Sequence, residues 1–541
     1  MLQVIAPGLV LVLVFLLVLS LRKYGSRGSL YPPGPPTLPI VGNLFALPRK
    51  HLHLKFTEWA RQYGDVISVK AMHQTIIVIN TPTLVKEVFD KRGVSSANRP
   101  ASTLIDLLRP DGLNFGCSHH ADNKWATMRK LAQGLLAKDS VKRFETIQHA
   151  ETTQTMMDFL HRPEDWHLHT NRLVASLTLV MVYGKRAALP SSPDVRDFFH
   201  VNHRYMDALD FGKAPPVDLF PVLKYIPKRF AGWKRDLEEI KIFQEALYER
   251  LVCDVRARLD RGEENGSFME EAIRHAEEWG LETPQHLNFL GGTLLEGAEN
   301  MSPAMQVVIL CACAFPDEQR KAAAEIEDIV GTSRVPCMED LEDLPYTRAF
   351  VNECSRFLPI ATLGVPHEMV QDQIIDGILY PKDAVVIQNT WYMFHDERYF
   401  DKPDEFAPER FLRHPFGIKP GAMDDPARRD NLHFGGGRRV CPGVYLARTT
   451  LDLFVAYTFW AFKVSSPPDP ATGKPRQPDL TRIAGGLVAR PYPFECVFAL
   501  HSKDRADVLQ EEFTLSAECL RPYELELTEE DKKYNATYRD I

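Results

Sequence analysis

The run Phe434-Gly435-Gly436-Gly437-Arg438-Arg439-Val440-Cys441-Pro442-Gly443 holds the residue types best suited to chemistry. Three consecutive glycines let a backbone take positive φ and approach a flat ligand closely. Cys441 closes this loop just ahead of an apolar segment that reads as a helix. Backbone N–H groups at a helix start favour a thiolate, and Arg439 adds positive charge suited to a carboxylate or phosphate. Three readings stay open on these residues alone. A thiolate ligand set against a flat group is the first. A phosphate cradle is the second, but the Lys-Ser/Thr pair of a P-loop and a GxGxxG helix start are both missing. A buried structural cysteine, the usual fate of a lone Cys, is the third.

Other pairs add to the first reading. Glu353 and Arg356 stand at i, i+3, which puts acid and base on one helix face. Pro408-Glu409-Arg410-Phe411 follows downstream. Trp125 and Arg129 are four residues apart, and Pro366-His367 lies after the Glu-Arg pair. Taken singly, each has a plain structural reading: a surface ion pair, a core tryptophan, a packed histidine.

Together they resemble the cytochromes P450. The glycine-cysteine run matches the haem-thiolate signature Phe-x-x-Gly-x-Arg-x-Cys-x-Gly at every fixed position, from Phe434 to Gly443. Glu353-Cys354-Ser355-Arg356 is similar to the family's Glu-x-x-Arg, and Arg410 to the arginine that completes its buried triad. Trp125 and Arg129 resemble the helix that holds a haem propionate, although Ala126 stands where a basic residue is frequent. His367 is similar to a second propionate contact. The resemblance covers about residues 30–500, and Val217–Pro227 looks like fungal secondary-metabolism members.

The resemblance implies a mainly α fold with small β-sheets, a single large domain, and haem with Cys441 as the iron ligand. Trp125, Arg129, His367, Arg439 and Phe434 would contact that haem. A thiolate ligand favours O–O cleavage. The implied reaction is insertion of one oxygen atom into an apolar small molecule. The chain carries no dinucleotide or flavin motif, so electrons would come from an NADPH-dependent flavoprotein reductase, with Arg438 a candidate for its docking surface. Rearrangement, peroxide-driven oxidation and haem binding without turnover are the alternatives. The substrate pocket would be lined by 101–121, 293–300, 360–365 and 484–488.

The distal segment departs from the family. Gly297-Ala298-Glu299-Asn300-Met301 falls on Gly-x-Asp/Glu-Thr-Thr/Ser, so the acid is kept as Glu299 and the usual hydroxyl is replaced by Asn300. An amide can donate a hydrogen bond but does not readily give up a proton. Ser302, three residues from Glu299, could hold a water. Pro303 lacks an N–H, which would free the Glu299 carbonyl and kink the helix.

These residues need elements to hold them. Residues 65–80, rich in Val and Ile and alternating, predict a hairpin, and Pro82 a helix start. Periodicity predicts helices over 231–261, 285–315, 317–330 and 444–463, the second and fourth buried. Short strands are expected near 374–388 and 482–498. With 45% hydrophobic and 25% charged residues in 541, the composition is globular. A net charge of −8 argues against general nucleic-acid binding, and nine cysteines do not make a disulfide scaffold.

The ends differ from the body. Residues 2–21 carry no charge, are followed by Arg22, Lys23 and Arg27, and predict a single-pass anchor rather than a cleaved signal. The positive-inside rule then leaves the body in the cytosol, and the resemblance to microsomal members of the family implies the endoplasmic reticulum membrane. The expected organisation is an anchor over 1–21, a basic and proline-rich hinge over 22–39, a catalytic domain over 40–501 and an acidic tail over 502–541. The tail's eleven acidic and six basic residues predict partial disorder.

Overall fold

The computed structural model describes Leu16 and residues 25–109, 112–120, 122–210, 212–422 and 432–539. The anchor expected over 1–21 lies outside the described residues, Leu16 apart. Among the described residues no single helix is long and apolar enough to cross a membrane.

Helix dominates, and helices of ten or more residues are labelled. The first, α1 (Leu52–Tyr63), leads into the hairpin β1 (Val66–Ala71) and β2 (Gln74–Ile79). Pro82–Val85 starts helical with Pro82 in its first turn, and the chain widens to a π-helical turn at Lys86–Lys91. Five helices follow: α2 (Asn123–Leu135), α3 (Glu145–His161), α4 (Trp166–Tyr183), α5 (Pro193–Leu209) and α6 (Gly232–Asp260). Then come α7 (Pro284–Ala298), α8 (Met301–Ala314), α9 (Pro316–Val330) and α10 (Pro345–Phe357). Short strands β3 (His367–Glu368), β4 (Gln373–Ile375), β5 (Ile378–Tyr380) and β6 (Val385–Gln388) precede α11 (Val444–Ala461). The chain continues through β7 (Phe462–Ser465), β8 (Ile483–Ala484), β9 (Arg490–Pro491) and β10 (Val497–Leu500). It closes with α12 (Lys503–Leu520) and α13 (Glu529–Tyr538).

The largest sheet has the order β1-β2-β6-β3, with β2 and β6 parallel and the other pairs antiparallel. His367 stands opposite Val386 in that ladder, so the sheet fixes its backbone. The core is helical. No residue of α8 is charged, and nearly every face of it is buried, as an all-round apolar helix requires. In α11 the stretch from Leu453 to Ala461 is buried throughout.

The long helix expected over 285–315 is interrupted: Glu299 and Asn300 form a turn between α7 and α8. Pro303 supplies no N–H to the Glu299 carbonyl, as expected, but the carbonyl is not free. Ser302 donates its N–H to it at 3.1 Å, a tighter turn that closes the gap.

The acidic tail is ordered, which corrects the expectation of partial disorder. α12 lies along α3 and buries Leu509, Phe513 and Leu520. α13 buries Asp531 and Tyr534. Asp531 accepts from the N–H groups of Ala188 and Leu189 at 3.2 and 3.0 Å. Glu524 accepts from Arg186 and Arg539. Asp531, Glu524 and Glu526 thus partner buried donors in the body, while Asp504, Asp507, Glu511, Glu518, Glu529 and Glu530 stay on the surface.

Candidate active site

The cysteine loop is shaped by its glycines. Gly435 and Gly437 have φ of 80° and 59°. A Cβ at Gly437 would stand 1.9 Å from the Phe89 carbonyl oxygen, so no side chain fits there. The Gly437 N–H donates to Asp90 Oδ1 at 2.7 Å. The Phe434 carbonyl accepts from the Cys441 N–H at 2.9 Å and closes the loop. Cys441 then sits three residues before α11. Burial pushes its thiol up, against the opposing pull of the Gly443 N–H and Arg129. The thiolate-favouring effect expected from the helix start is therefore outweighed by desolvation in the protein alone. A coordinated metal ion inverts that balance, because it deprotonates a ligating thiol outright.

Behind the loop is a scaffold of buried ions. Arg356 grips both oxygens of Glu353 at 2.8 Å, and Arg410 Nε reaches the same carboxylate at 3.1 Å. Arg356 also donates to the carbonyls of Phe394 and Pro403. The predicted triad is thus assembled and buried.

Cys441 shares one cavity of about 820 Å³ with the α7–α8 junction. One end of this cavity is strongly cationic. Arg439 donates to the carbonyls of Ala97, Phe115 and Ser118 and lies 4.4 Å from the Trp125 ring. Burial, with repulsion from Arg99 and Arg129, pulls its pKa down to about 9. Arg99 is pulled to about 10 by burial, with Arg129 adding to the effect. Arg129 donates to the Val440 carbonyl, next to Cys441. Among the described residues none of these three arginines has a carboxylate partner. Trp125 Nε1, Arg129 Nε and His120 Nδ1 are buried donors or acceptors without a protein partner. Uncompensated buried cations cost several kcal/mol each (roughly, after relaxation), and an anionic group placed among them would relieve that cost. The carboxylates of a haem fit this pocket by charge and by donor supply.

His367 lines the same cavity but is spent differently. Its ring stacks on Phe89 at 4.0 Å, and Nδ1 is 2.8 Å from the Ser96 carbonyl, which can only accept. Burial and Arg99 lower its pKa well below the ordinary value, so it is neutral with its proton on Nδ1. A propionate contact through Nε2 would require a second proton. Arg99, not singled out from sequence, is the better-placed cation; its only sequence signal is an ordinary basic residue before a proline.

At the other end, Asn300 faces the cavity with its amide oxygen buried and unpartnered. Gly297 also lines it, and a Cβ there would meet nothing within 4 Å. Glu299 points away from the cavity. It pairs with Arg490 at 3.3 Å, and burial raises its pKa against the pull of that arginine. Arg490 in turn lies 2.8 Å from His203 Nε2, whose ring is half exposed. Burial and Arg490 hold His203 down to about 4. Ser302 follows Glu299 away from the cavity, because three residues turn a helix back to nearly the same side. Its hydroxyl donates to Asn171 and is bonded by Gln306 Nε2 at 3.1 Å. The water-holding role expected of Ser302 is thus not available to it at the cavity.

Glu296 is a second residue that sequence reading passed over, despite being a charge in an apolar helix. Its carboxylate accepts from Arg109 at 2.6 Å and from Asn114 at 2.7 Å, with Tyr248 and Gln244 completing the shell. Arg109 lies between the Tyr205 and Phe289 rings.

A buried thiol on a glycine loop, a cationic pocket and a broken helix across one cavity define a haem-thiolate protein. The chain belongs to the cytochrome P450 family. The family profile described as Cytochrome P450 matches residues 32–497. A cytochrome P450 monooxygenase of Armillaria gallica is 36% identical over 510 residues, covering 94% of this chain and 96% of the relative. The cytochrome P450 monooxygenase patH of Penicillium expansum is 35% identical, covering 94% and 97%. The monooxygenase atE of Aspergillus terreus is 33% identical, covering 93% of each. The protein is accordingly a cytochrome P450 monooxygenase, and haem is its cofactor.

Proposed function

We propose that this enzyme inserts one oxygen atom from O2 into a largely apolar small molecule, as a step in fungal secondary-metabolite biosynthesis. The observation that supports this most is the shared cavity, with the Cys441 thiol at one wall and unpaired buried arginines beside it. Bound there, haem would supply the activation of dioxygen, with Cys441 as the iron ligand. Arg99, Arg129, Arg439 and Trp125 would hold its carboxylates, and Phe434 and the glycines would let the loop approach its face. Glu299 would hold a proton, and Arg490 and His203 would connect it to solvent. Asn300 would orient a water or a substrate group, since its amide cannot act as the final acid.

Electrons would come from an NADPH-dependent flavoprotein reductase. Arg438 is exposed beside the cysteine loop and suits an acidic docking surface. Residues 1–21 would anchor the chain at the endoplasmic reticulum, 22–39 would act as hinge, 40–501 as the cytosolic catalytic domain and 502–541 as its acidic extension. The test is Cys441→His, with the reduced carbon-monoxide spectrum recorded. A thiolate-type band in wild type and its loss in the variant support the assignment; an unchanged band in the variant ends it. Product mass from labelled O2 then separates oxygenation from rearrangement, an outcome that Asn300 in place of the usual hydroxyl makes worth distinguishing.

A further inference from the structure

The cavity wall formed by α7 and its junction is not uniformly apolar. Thr293, Glu296 and Asn300 all line it, at i, i+3 and i+7. Seven residues are about 700° of helical turn, so Thr293 and Asn300 share a face within roughly 20° and lie about 10 Å apart along the axis. Glu299 and Asn300 keep right-handed helical dihedrals through the turn, so this register survives the interruption. The middle member is closed: both Glu296 oxygens are taken by Arg109, Asn114, Tyr248 and Gln244, and Arg109 neutralises its charge. The two outer members are open. Thr293 Oγ1 and Asn300 Oδ1 are buried and have no protein partner. Between them Gly297 removes the side chain that would otherwise stand in the gap.

We infer that this wall is a two-point recognition strip, and that the substrate is an oxygenated molecule carrying hydrogen-bond donors at two ends of an apolar body. One donor meets Asn300 at the reacting end and the other meets Thr293 about two helical turns away. The strip rests on the monooxygenase reading above and narrows its substrate from apolar to two-ended and hydroxylated. Polar groups in a ligand cavity fix orientation, and a ligand lacking the matching donor leaves a buried acceptor unpaired. A hydrocarbon of the same length would fill the same space but leave both acceptors unpaired.

The test uses the full-length, haem-loaded enzyme and two probes of similar length, octanediol with both hydroxyls terminal and decane. Affinities are measured by titration calorimetry, which does not depend on turnover. Leaving water favours decane over the diol by its larger apolar surface, so the strip is read from the change between wild type and variants for each probe. Thr293→Val and Asn300→Leu should each weaken diol binding about three- to tenfold, roughly one net hydrogen bond, while leaving decane within about twofold. Failure of both probes to bind wild type, a diol affinity unmoved in both variants, or equal losses for diol and decane would overturn the strip. Haem content and the carbon-monoxide band are recorded on the same samples. Their loss in wild type would overturn the haem-thiolate reading instead, and the calorimetric comparison would still decide the strip.

Discussion

The two walls of the cavity are built on different principles. On the cysteine side, backbone does the positioning: positive φ at two glycines, a carbonyl 1.9 Å from where a Cβ would stand, and an N–H to Asp90. On the α7–α8 side, side chains do it, with Glu299 turned to Arg490 and His203, Ser302 to Asn171, and Glu296 to Arg109. A backbone-shaped wall admits almost no substitution. A side-chain wall can exchange threonine for asparagine and still fold. The chemistry that must not vary is held by the first, and the chemistry that sets outcome and substrate by the second.

The sharpest way to break this contrast is Gly437→Ala. The φ of 59° and the contact with Phe89 should together abolish haem incorporation, read as loss of Soret absorbance per protein; near-normal loading would remove the claim that backbone rules this wall. Next is Glu353→Gln, which leaves Arg356 and Arg410 buried without a counter-charge. Breaking such a pair costs about 3–5 kcal/mol, read as a lower midpoint in a denaturant titration; an unchanged midpoint would remove the structural role of the triad.

Effects on the other wall should be smaller and should fall on chemistry rather than folding. Asn300→Thr should raise the ratio of product to NADPH consumed by about two- to fivefold with a poorly fitting substrate analogue lacking a hydroxyl, and Glu299→Gln should lower it by a similar factor; both factors correspond to about 0.4–1 kcal/mol. The measurement is product and peroxide yield per NADPH. Tight coupling in wild type, harmed by Asn300→Thr, would make the asparagine itself the tuned element.

The smallest effect is on pH dependence. The folded Glu299 pKa is raised, so protonation is favoured by folding, and the stability it contributes is complete below the unfolded carboxyl pKa and is lost as pH rises through the folded one. Glu299→Gln should remove that slope. The difference in Tm between variant and wild type should grow in favour of the variant as pH rises from the ordinary carboxylate range towards neutral. A constant difference would mean that Arg490 fully compensates the burial.

The same contrast explains what the sequence made legible. The cysteine loop was readable residue by residue, because a positive φ or a close approach permits only glycine, and such demands are local. Helix positions followed from periodicity, and the strands at 65–80 from alternation. The triad's members were found because they sit in short motifs. Arg99, Arg490, His203 and Glu296 were not found. Each is an ordinary residue whose meaning comes from a partner far away in sequence. Ser302 was placed on the same side as Glu299, and that side turns outward, where Glu299 meets Arg490 and Ser302 meets Asn171. The tail was misjudged by charge: its eleven acids suggested solvation, while Leu509, Phe513 and Leu520 at i, i+4 and i+11 marked a buried stripe.

That docked tail also sets the timing of assembly. Arg186 in the body meets Glu524 across 338 residues of chain, and Asp158 meets Tyr534 across 376. At roughly 5–20 residues per second of synthesis, Arg186 and Asp158 wait about 20–80 s before their partners exist. Throughout that interval the Glu151-Asp158-Arg172-Arg186 cluster is balanced in charge, but Arg186 lacks Glu524 and Asp158 lacks the Tyr534 hydroxyl. The catalytic body is therefore finished from its last residues inward, and a nascent chain stalled before α12 would present an open, charged seam where the completed enzyme has a sealed one.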